Sequence, residues 1–275
     1  MPLPLFVHKL LDRYRRLPRW LRRLGGTCVV LLLIALIPAA MVWHHYSSLA
    51  ATYDMTALTR GQNETLIVDA KGEPVGSASD VERELVTVTD VPISLIDAII
   101  ATEDARFFSH RGYDLIGLGR AAVKNFTSRG IRQGGSTITQ QLARNAFGLQ
   151  GRSYERKITE IFLAMRIERE CTKEQILTHY INRIYLGTGC SGVGAAARCY
   201  FGKDVHDLTL IESATLAGII KAPVAFSPIT QPALATQKRD LTLQRMVETD
   251  KLTEEGQAHR RGSRQGQSAA ACGAA

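Results

Sequence analysis

Between Leu24 and Trp43 the chain runs for twenty residues without a charged side chain. At ~1.5 Å per residue a helix of that length crosses the ~30 Å hydrocarbon layer of a bilayer, so the run predicts a single membrane anchor over residues 24–46. Lys9, Arg13, Arg15, Arg16, Arg19, Arg22 and Arg23 precede it against one carboxylate, Asp12, and no basic residue follows closely. Positive charge before the span places residues 1–23 in the cytoplasm and everything after Tyr46 outside, with Trp20 suited to one interface and Trp43 and Tyr46 to the other. A cleaved signal peptide is the competing reading. The long basic region and the lack of an Ala-x-Ala site behind the apolar run favour a retained anchor.

The net charge of +8 comes from 34 Lys and Arg against 26 Asp and Glu, and its location decides its meaning. Residues 1–23 carry +6 and the tail from Gly256 carries +3 through Arg260, Arg261 and Arg264, which leaves −1 for the 232 residues between them. A nucleic-acid partner is therefore not expected, because the body of the chain has no basic excess to neutralise phosphates.

Beyond the span, residues 47–80 read as a stalk followed by a small β collar. Thr65–Val68 is β-rich and precedes the turn Asp69-Ala70-Lys71-Gly72, and Glu84–Thr89 reads as a second short strand. From Pro92 the period changes to helical, with Leu95, Ile96, Ile99 and Ile100 recurring at three and four residues. Thr172-Lys173-Glu174-Gln175 and Thr209-Leu210-Ile211-Glu212 are capping boxes that open apolar runs, and a last amphipathic helix is expected around Leu234–Val247. Residues 250–275 have little bulk and no periodicity, which predicts a disordered tail. Of five cysteines, Cys190 and Cys199 could form a disulfide in an exported domain or remain two small buried thiols; spacing does not choose between them.

Three places carry chemistry. Glu103 lies four residues after Ile99 and seven after Ile96, so it extends the apolar face of its helix, where desolvation would raise its pKa toward a general base's range. The alternative is a buried Glu satisfied by Arg106 or a backbone amide. The segment Gln133-Gly134-Gly135-Ser136-Thr137-Ile138-Thr139-Gln140-Gln141 packs hydroxyls and amides behind two glycines; it suits sugar or phosphate oxygens, though a capped helix start with wet polar residues would look similar. Arg156, Lys157 and Glu160 fall opposite Ile158, Ile161, Phe162 and Met165 on one helix. That patch suits a diphosphate and its divalent metal, or is an ordinary i,i+4 pair on a wet face.

Four segments resemble, in order, the motifs of glycosyltransferase family 51. They are Glu103-Asp104 through His110 and Gly112, Gln133–Gln141, Arg156-Lys157-Ile158-Thr159-Glu160, and Lys173 through Asn182. These motifs are those of the peptidoglycan glycosyltransferase domains of class A penicillin-binding proteins and of the monofunctional transglycosylases. The resemblance spans about Val81 to Val247 and implies a mainly α, lysozyme-like glycosyltransferase domain over residues 81–249, anchored in the bacterial inner membrane with its catalytic domain on the periplasmic face. It implies lipid II and the nascent glycan strand as substrates, a divalent metal (Mg2+ or Mn2+) as cofactor, and cell-wall elongation or division proteins as partners.

Residue by residue, the resemblance makes Glu103 the base that deprotonates the acceptor sugar's 4-hydroxyl, with inversion at the donor's anomeric carbon and loss of undecaprenyl diphosphate. Arg156, Lys157 and a metal near Glu160 would stabilise that leaving group, and Ser136, Thr137, Gln140 and Gln141 would line the donor side. Arg144 stands where the family more often has Lys, and Lys238-Arg239 resembles its late basic pair. The chain has no Ser-x-x-Lys followed by Ser-x-Asn and Lys-Thr-Gly, so no transpeptidase half is expected. Two other functions share these residues: a lysozyme-like hydrolase or lytic transglycosylase, which would need no diphosphate site, and a non-catalytic scaffold that binds lipid II.

Overall fold

The computed structural model describes residues 18–59, 65–68, 74–78, 85–127, 135–151 and 153–252. The expected tails at 1–17 and 253–275, Gln133, Gly134 and the Asp69–Gly72 turn lie outside the described residues. The chain divides into two units, Met1–Thr52 and Tyr53–Ala275.

In the first unit, helix α1 (Arg19–Thr52) is continuous through Pro38. It contains the uncharged run and extends beyond the expected anchor at both ends. The reason is local: Ser47 Oγ donates to the His44 carbonyl and Thr52 Oγ1 to that of Leu49, which satisfies both hydroxyls inside the helix. Among the described residues no helix is long and apolar enough to cross a membrane. The uncharged sequence run Leu24–Trp43 lies within α1.

The second unit opens with one antiparallel pair, β1 (Thr65–Val68) and β2 (Pro74–Ala78), in the register Thr65 to Ala78 and Ile67 to Gly76. The partner strand expected at Glu84–Thr89 does not form: residues 85–87 are irregular and Val88–Asp90 is a single 3-10 turn. Thr87 donates its backbone N–H and its hydroxyl to Asp90, a local bond that competes with a strand ladder. Val86 is nevertheless paired, since the Asn182 amide accepts from its N–H and donates to its carbonyl.

The rest is helical: α2 (Ile93–Glu103), α3 (Leu115–Thr127), α4 (Ile138–Ala146), α5 (Tyr154–Glu170), α6 (Lys173–Ile181), α7 (Val193–Phe201), α8 (Leu210–Ile219) and α9 (Pro232–Glu248). The fold is mainly α, as expected. Both capping boxes form, Thr172 with Gln175 and Thr209 with Glu212. Pro232 takes the first turn of α9, where a missing N–H is harmless.

Two groups of three helices make the core. In one, α2 and α9 pack on α8 and on each other, burying Leu95, Ile99, Leu216, Ile219, Leu243 and Met246. Gly218 is the point of closest approach: a Cβ there would meet the Lys238 backbone at 2.9 Å, so only glycine lets α8 and α9 touch. In the other, α4 packs on α5 and α6 around Ile138, Leu142, Leu163, Ile167, Ile176 and Tyr180. A disulfide joins Cys190 to Cys199, which resolves the choice left open by spacing, while Cys28 and Cys171 are free thiols and Cys272 lies outside the described residues.

Candidate active site

Apolar periodicity carries α2 to its last residue, Glu103, with Ile96, Ala98, Ile99 and Ile100 buried behind it. The side chain therefore emerges half-buried at a helix C-terminus, the end least favourable to a carboxylate. Gln141 Nε2 donates to Glu103 Oε2 at 2.8 Å, and Tyr180 Oη donates to the Oε1 of the same amide at 3.2 Å, which fixes which way the amide faces. Desolvation raises the Glu103 pKa above the ordinary carboxylate value, assisted by Asp104; Gln141, Arg245 and Lys221 pull it back. Arg106, one partner considered for Glu103, pairs instead with Asp114 at 3.3 Å.

The next residue faces elsewhere. Asp104 is buried, its carboxylate at 2.9 Å from His110 Nε2 and accepting at 3.0 Å from the N–H of Ile138, at the start of α4. Two adjacent acids thus have divergent roles in the fold. Asp104 ties α2 to α4, and Glu103 is left to the open space between the two helix groups.

That space is a cleft of about 310 Å³ lined by Glu103, Ser136, Gln141, Arg144, Lys221, Phe226, Lys238, Thr242 and Arg245, among others. Among the described residues four cations and a single carboxylate share it, and Lys238 Nζ stands 4.4 Å over the Phe226 ring. A second, smaller cavity of about 40 Å³ has Glu103, Ser136 and Thr137 in its wall together with Arg106, Arg120 and Asp114.

Of the residues expected from sequence, Glu103, Ser136, Gln141, Arg144 and Lys238 line the cleft. Thr137 and Gln140 are buried and used internally: Thr137 caps α4 by accepting from the Gln140 N–H, and both side chains donate to the Gly112 carbonyl. Gly112 sits against α5 with φ +91°, and a Cβ there would lie 2.8 Å from the Ala164 carbonyl carbon. Arg239 pairs with its neighbour Asp240 at 3.0 Å and is not among the cleft's lining residues.

The Arg156–Lys157–Glu160 group needs correction. Sequence periodicity placed it opposite the packed face of its helix, yet Glu160 is fully buried and lies in line with Leu163, Ala164 and Ile167, whereas Ile158, Ile161, Phe162 and Met165 are only half-buried. The buried charge is compensated on both oxygens, by Arg156 Nη1 and by Lys157 Nζ at 3.1 Å. Lys157 Nζ also donates to Gln140 Oε1 at 2.8 Å and to Ser136 Oγ at 2.7 Å. The cationic ridge expected to face Glu103 is therefore connected to the cleft through Ser136 and is not in its wall. Arg156 Nε is buried without a hydrogen-bond partner among the described residues.

Nor do these residues form a cage for a divalent ion. Glu160 has both oxygens committed to cations, and among the described residues no group of three His, Cys, Asp or Glu is placed to hold a metal.

Lys221, Phe226, Thr242 and Arg245 were missed. Arg245 and Thr242 carried a signal, since both fall in line with the buried positions of an amphipathic helix that includes Leu243 and Met246. Lys221, a cation closing an apolar helix just before Pro223, was weaker but readable.

Comparison with known proteins identifies the family. The transglycosylase family model matches residues 71–247. The chain is similar to penicillin-binding protein 1A of Aquifex aeolicus, with 46% identity over 189 residues, 69% of this chain and 26% of that protein. It is similar to penicillin-binding protein 1A of Escherichia coli at 46% identity, covering 69% of this chain and 22% of that protein. The Pseudomonas aeruginosa protein of the same name is 37% identical over 229 residues, 83% of this chain and 28% of that protein. A crystal structure of penicillin-binding protein 1A from Haemophilus influenzae aligns with 69% of this chain and 19% of that one, at 26% identity and a TM-score of 0.39. The chain belongs to the transglycosylase family and carries its glycosyltransferase domain. It spans about a quarter of the length of the curated relatives it matches.

Proposed function

We infer that this chain polymerises lipid II into glycan strands, with Glu103 as the base. In its ionised form Glu103 takes the proton from the acceptor sugar's 4-hydroxyl as that oxygen attacks the donor's anomeric carbon from the side opposite the leaving group. The carbon is inverted, the bond to the lipid diphosphate breaks, and the electron pair leaves with undecaprenyl diphosphate.

One observation carries this assignment: a desolvated carboxylate stands alone among Arg144, Lys221, Lys238 and Arg245 in one cleft. A hydrolase that cuts a sugar–sugar bond must protonate a poor leaving oxygen and has no diphosphate to balance. A diphosphate leaves without protonation if cations balance its charge, and this cleft supplies four. Lys157, through Ser136, adds a further positive group at its edge. A divalent ion, where the reaction uses one, fits this chain as a companion of the substrate's diphosphate, because Glu160 has no free oxygen to offer it.

The anchor belongs to the same proposal. Both substrates carry lipid tails, so a domain held by α1 at the outer face of the inner membrane would meet them at the bilayer surface, with the basic N-terminus in the cytoplasm. The test is polymerisation of labelled lipid II in detergent, with and without moenomycin, the phosphoglycolipid inhibitor known to bind this family. Glycan strands that disappear with the inhibitor are expected; release of fragments from finished cell wall, with lipid II untouched, would replace this assignment with the hydrolase.

A further inference from the structure

The two residues that flank Glu103 are bound to different helices. Asp104 is fastened to the N-terminus of α4, as described above. Thr102 is fastened to α9: Arg245 Nη1 donates to its carbonyl at 2.9 Å, and its hydroxyl donates to Thr242 Oγ1 at 3.3 Å. Thr242 and Arg245 are three apart on α9, so one face of that helix makes both contacts.

The Thr102 carbonyl is one of the last in α2, a group with no partner inside its own helix and part of the negative end of the helix dipole. A guanidinium bonded there neutralises that end at the position where Glu103 must be ionised. Lys221 also acts on Glu103, yet it is exposed at the end of a turn, whereas Arg245 is half-buried and bonded to the backbone of the adjacent residue.

We propose that Arg245 is a positioning residue for Glu103, clamping the last turn of α2 onto α9 so that the carboxylate is held against Gln141, ionised and pointed into the cleft. Arg245 acts through the backbone of Thr102 and through its charge, and its forked head lets one side chain do both. This role rests on the assignment of Glu103 as the base, and goes beyond it by naming what holds that base in its working state.

The groups that face Glu103 are Asp104 beside it, Gln141 and Arg144 on α4, Tyr180 on α6 behind the Gln141 amide, Lys221 after α8, and Lys238 and Arg245 on α9. Of these side chains, among the described residues, Arg245 is the one bonded to the backbone of the turn that carries the acid. Its removal leaves desolvation and Asp104 less opposed, so the Glu103 proton affinity rises and the acidic limb of the rate profile moves to higher pH.

The test compares Arg245→Gln and Arg245→Lys in the full chain. With lipid II as substrate, R245Q is expected to lose kcat by about tenfold or more at neutral pH with KM little changed, and to show an acidic limb displaced upward. R245K keeps the charge and is expected to return the limb to the wild-type position with part of the rate. A 13C titration of the Glu103 carboxyl in both variants reads the same shift without turnover, so it decides the clamp even if lipid II is not the substrate. An unmoved Glu103 titration in R245Q, or a rise in KM at constant kcat, would overturn the proposal. If R245Q does not fold, Arg245→Met carries the same titration: a Glu103 midpoint displaced upward supports the clamp and an unmoved one contradicts it.

Discussion

The helices behind the two sides of the cleft differ in how much charge they bury. The wall of α2, α8 and α9 is apolar behind its surface, with Leu95, Ile99, Leu216, Ile219, Leu243 and Met246 almost wholly buried. The helix pair behind the other wall, α4 and α5, also buries Ile138, Leu142, Leu163 and Ile167 but sets charge and hydrogen-bonding groups among them: Thr137, Thr139, Gln140, Thr159 and Glu160. An apolar backing raises the proton affinity of the one acid set on it, which is what a base needs. A polar backing pairs its acid with cations and leaves it no free oxygen. Glu103 and Glu160 are both glutamates on helices, and the material behind each decides what it can do.

The largest effect should come from the acid on the apolar wall. Glu103→Gln removes the one carboxylate that lines the cleft among the described residues and should lower polymerisation by roughly 10²–10⁴-fold. The same change should raise the unfolding midpoint at pH 7. A carboxyl whose pKa is raised by folding stabilises the fold below the pKa it has in the unfolded chain; that contribution is lost as pH climbs through the folded value, so the ionised form at neutrality is a burden that Gln removes. Loss of activity together with loss of stability would break the comparison.

On the polar wall the expectation is reversed. Glu160→Gln strands Arg156 and Lys157 around a neutral side chain and should destabilise the domain by about 3 kcal/mol, at the lower end for a broken buried pair because Lys157 is more than a third exposed. Thermal denaturation checks this, and a variant as stable as the parent would mean that the charge is not needed there.

Smaller effects sharpen the picture of how the walls are held. Gly218→Ala forces α8 and α9 apart where a Cβ would come within 2.9 Å of backbone, and should cost about 1–3 kcal/mol and widen the cleft on the apolar side. Denaturant unfolding measures the first, and a raised KM with Phe226 and Lys238 displaced would report the second. Cys190→Ser with Cys199→Ser opens a short loop, should cost about 2–3 kcal/mol on loop entropy, and should leave kcat unchanged because neither residue lines the cleft.

What could be read from the sequence follows from how local the cause is. The capping boxes at Thr172 and Thr209, the position of Glu103 on an apolar face, and the last helix, expected around Leu234–Val247 and found at Pro232–Glu248, are decided within a few residues, and all were legible. Arg245 and Lys221 act on Glu103 across more than a hundred residues of chain, so no local pattern names their partner. The α5 error has the same origin. Ile158, Ile161 and Phe162 look like a core stripe until α4 packs on the other side and Lys157 reaches Ser136 and Gln140. Motif resemblance supplied the order of the site's residues; it did not show that Thr137 and Gln140 serve the Gly112 carbonyl and that Ser136 and Gln141 remain for the cleft.

The account depends most on Glu103 working as an ionised base on an apolar wall. The direct measurement is the pH dependence of lipid II polymerisation by the parent chain beside Glu103→Gln at matched folded concentration. The account predicts a rate that falls as pH drops through a value above the ordinary glutamate range, and a variant inactive at every pH. A variant that still polymerises lipid II at the parental rate, with the same acidic limb, would contradict it.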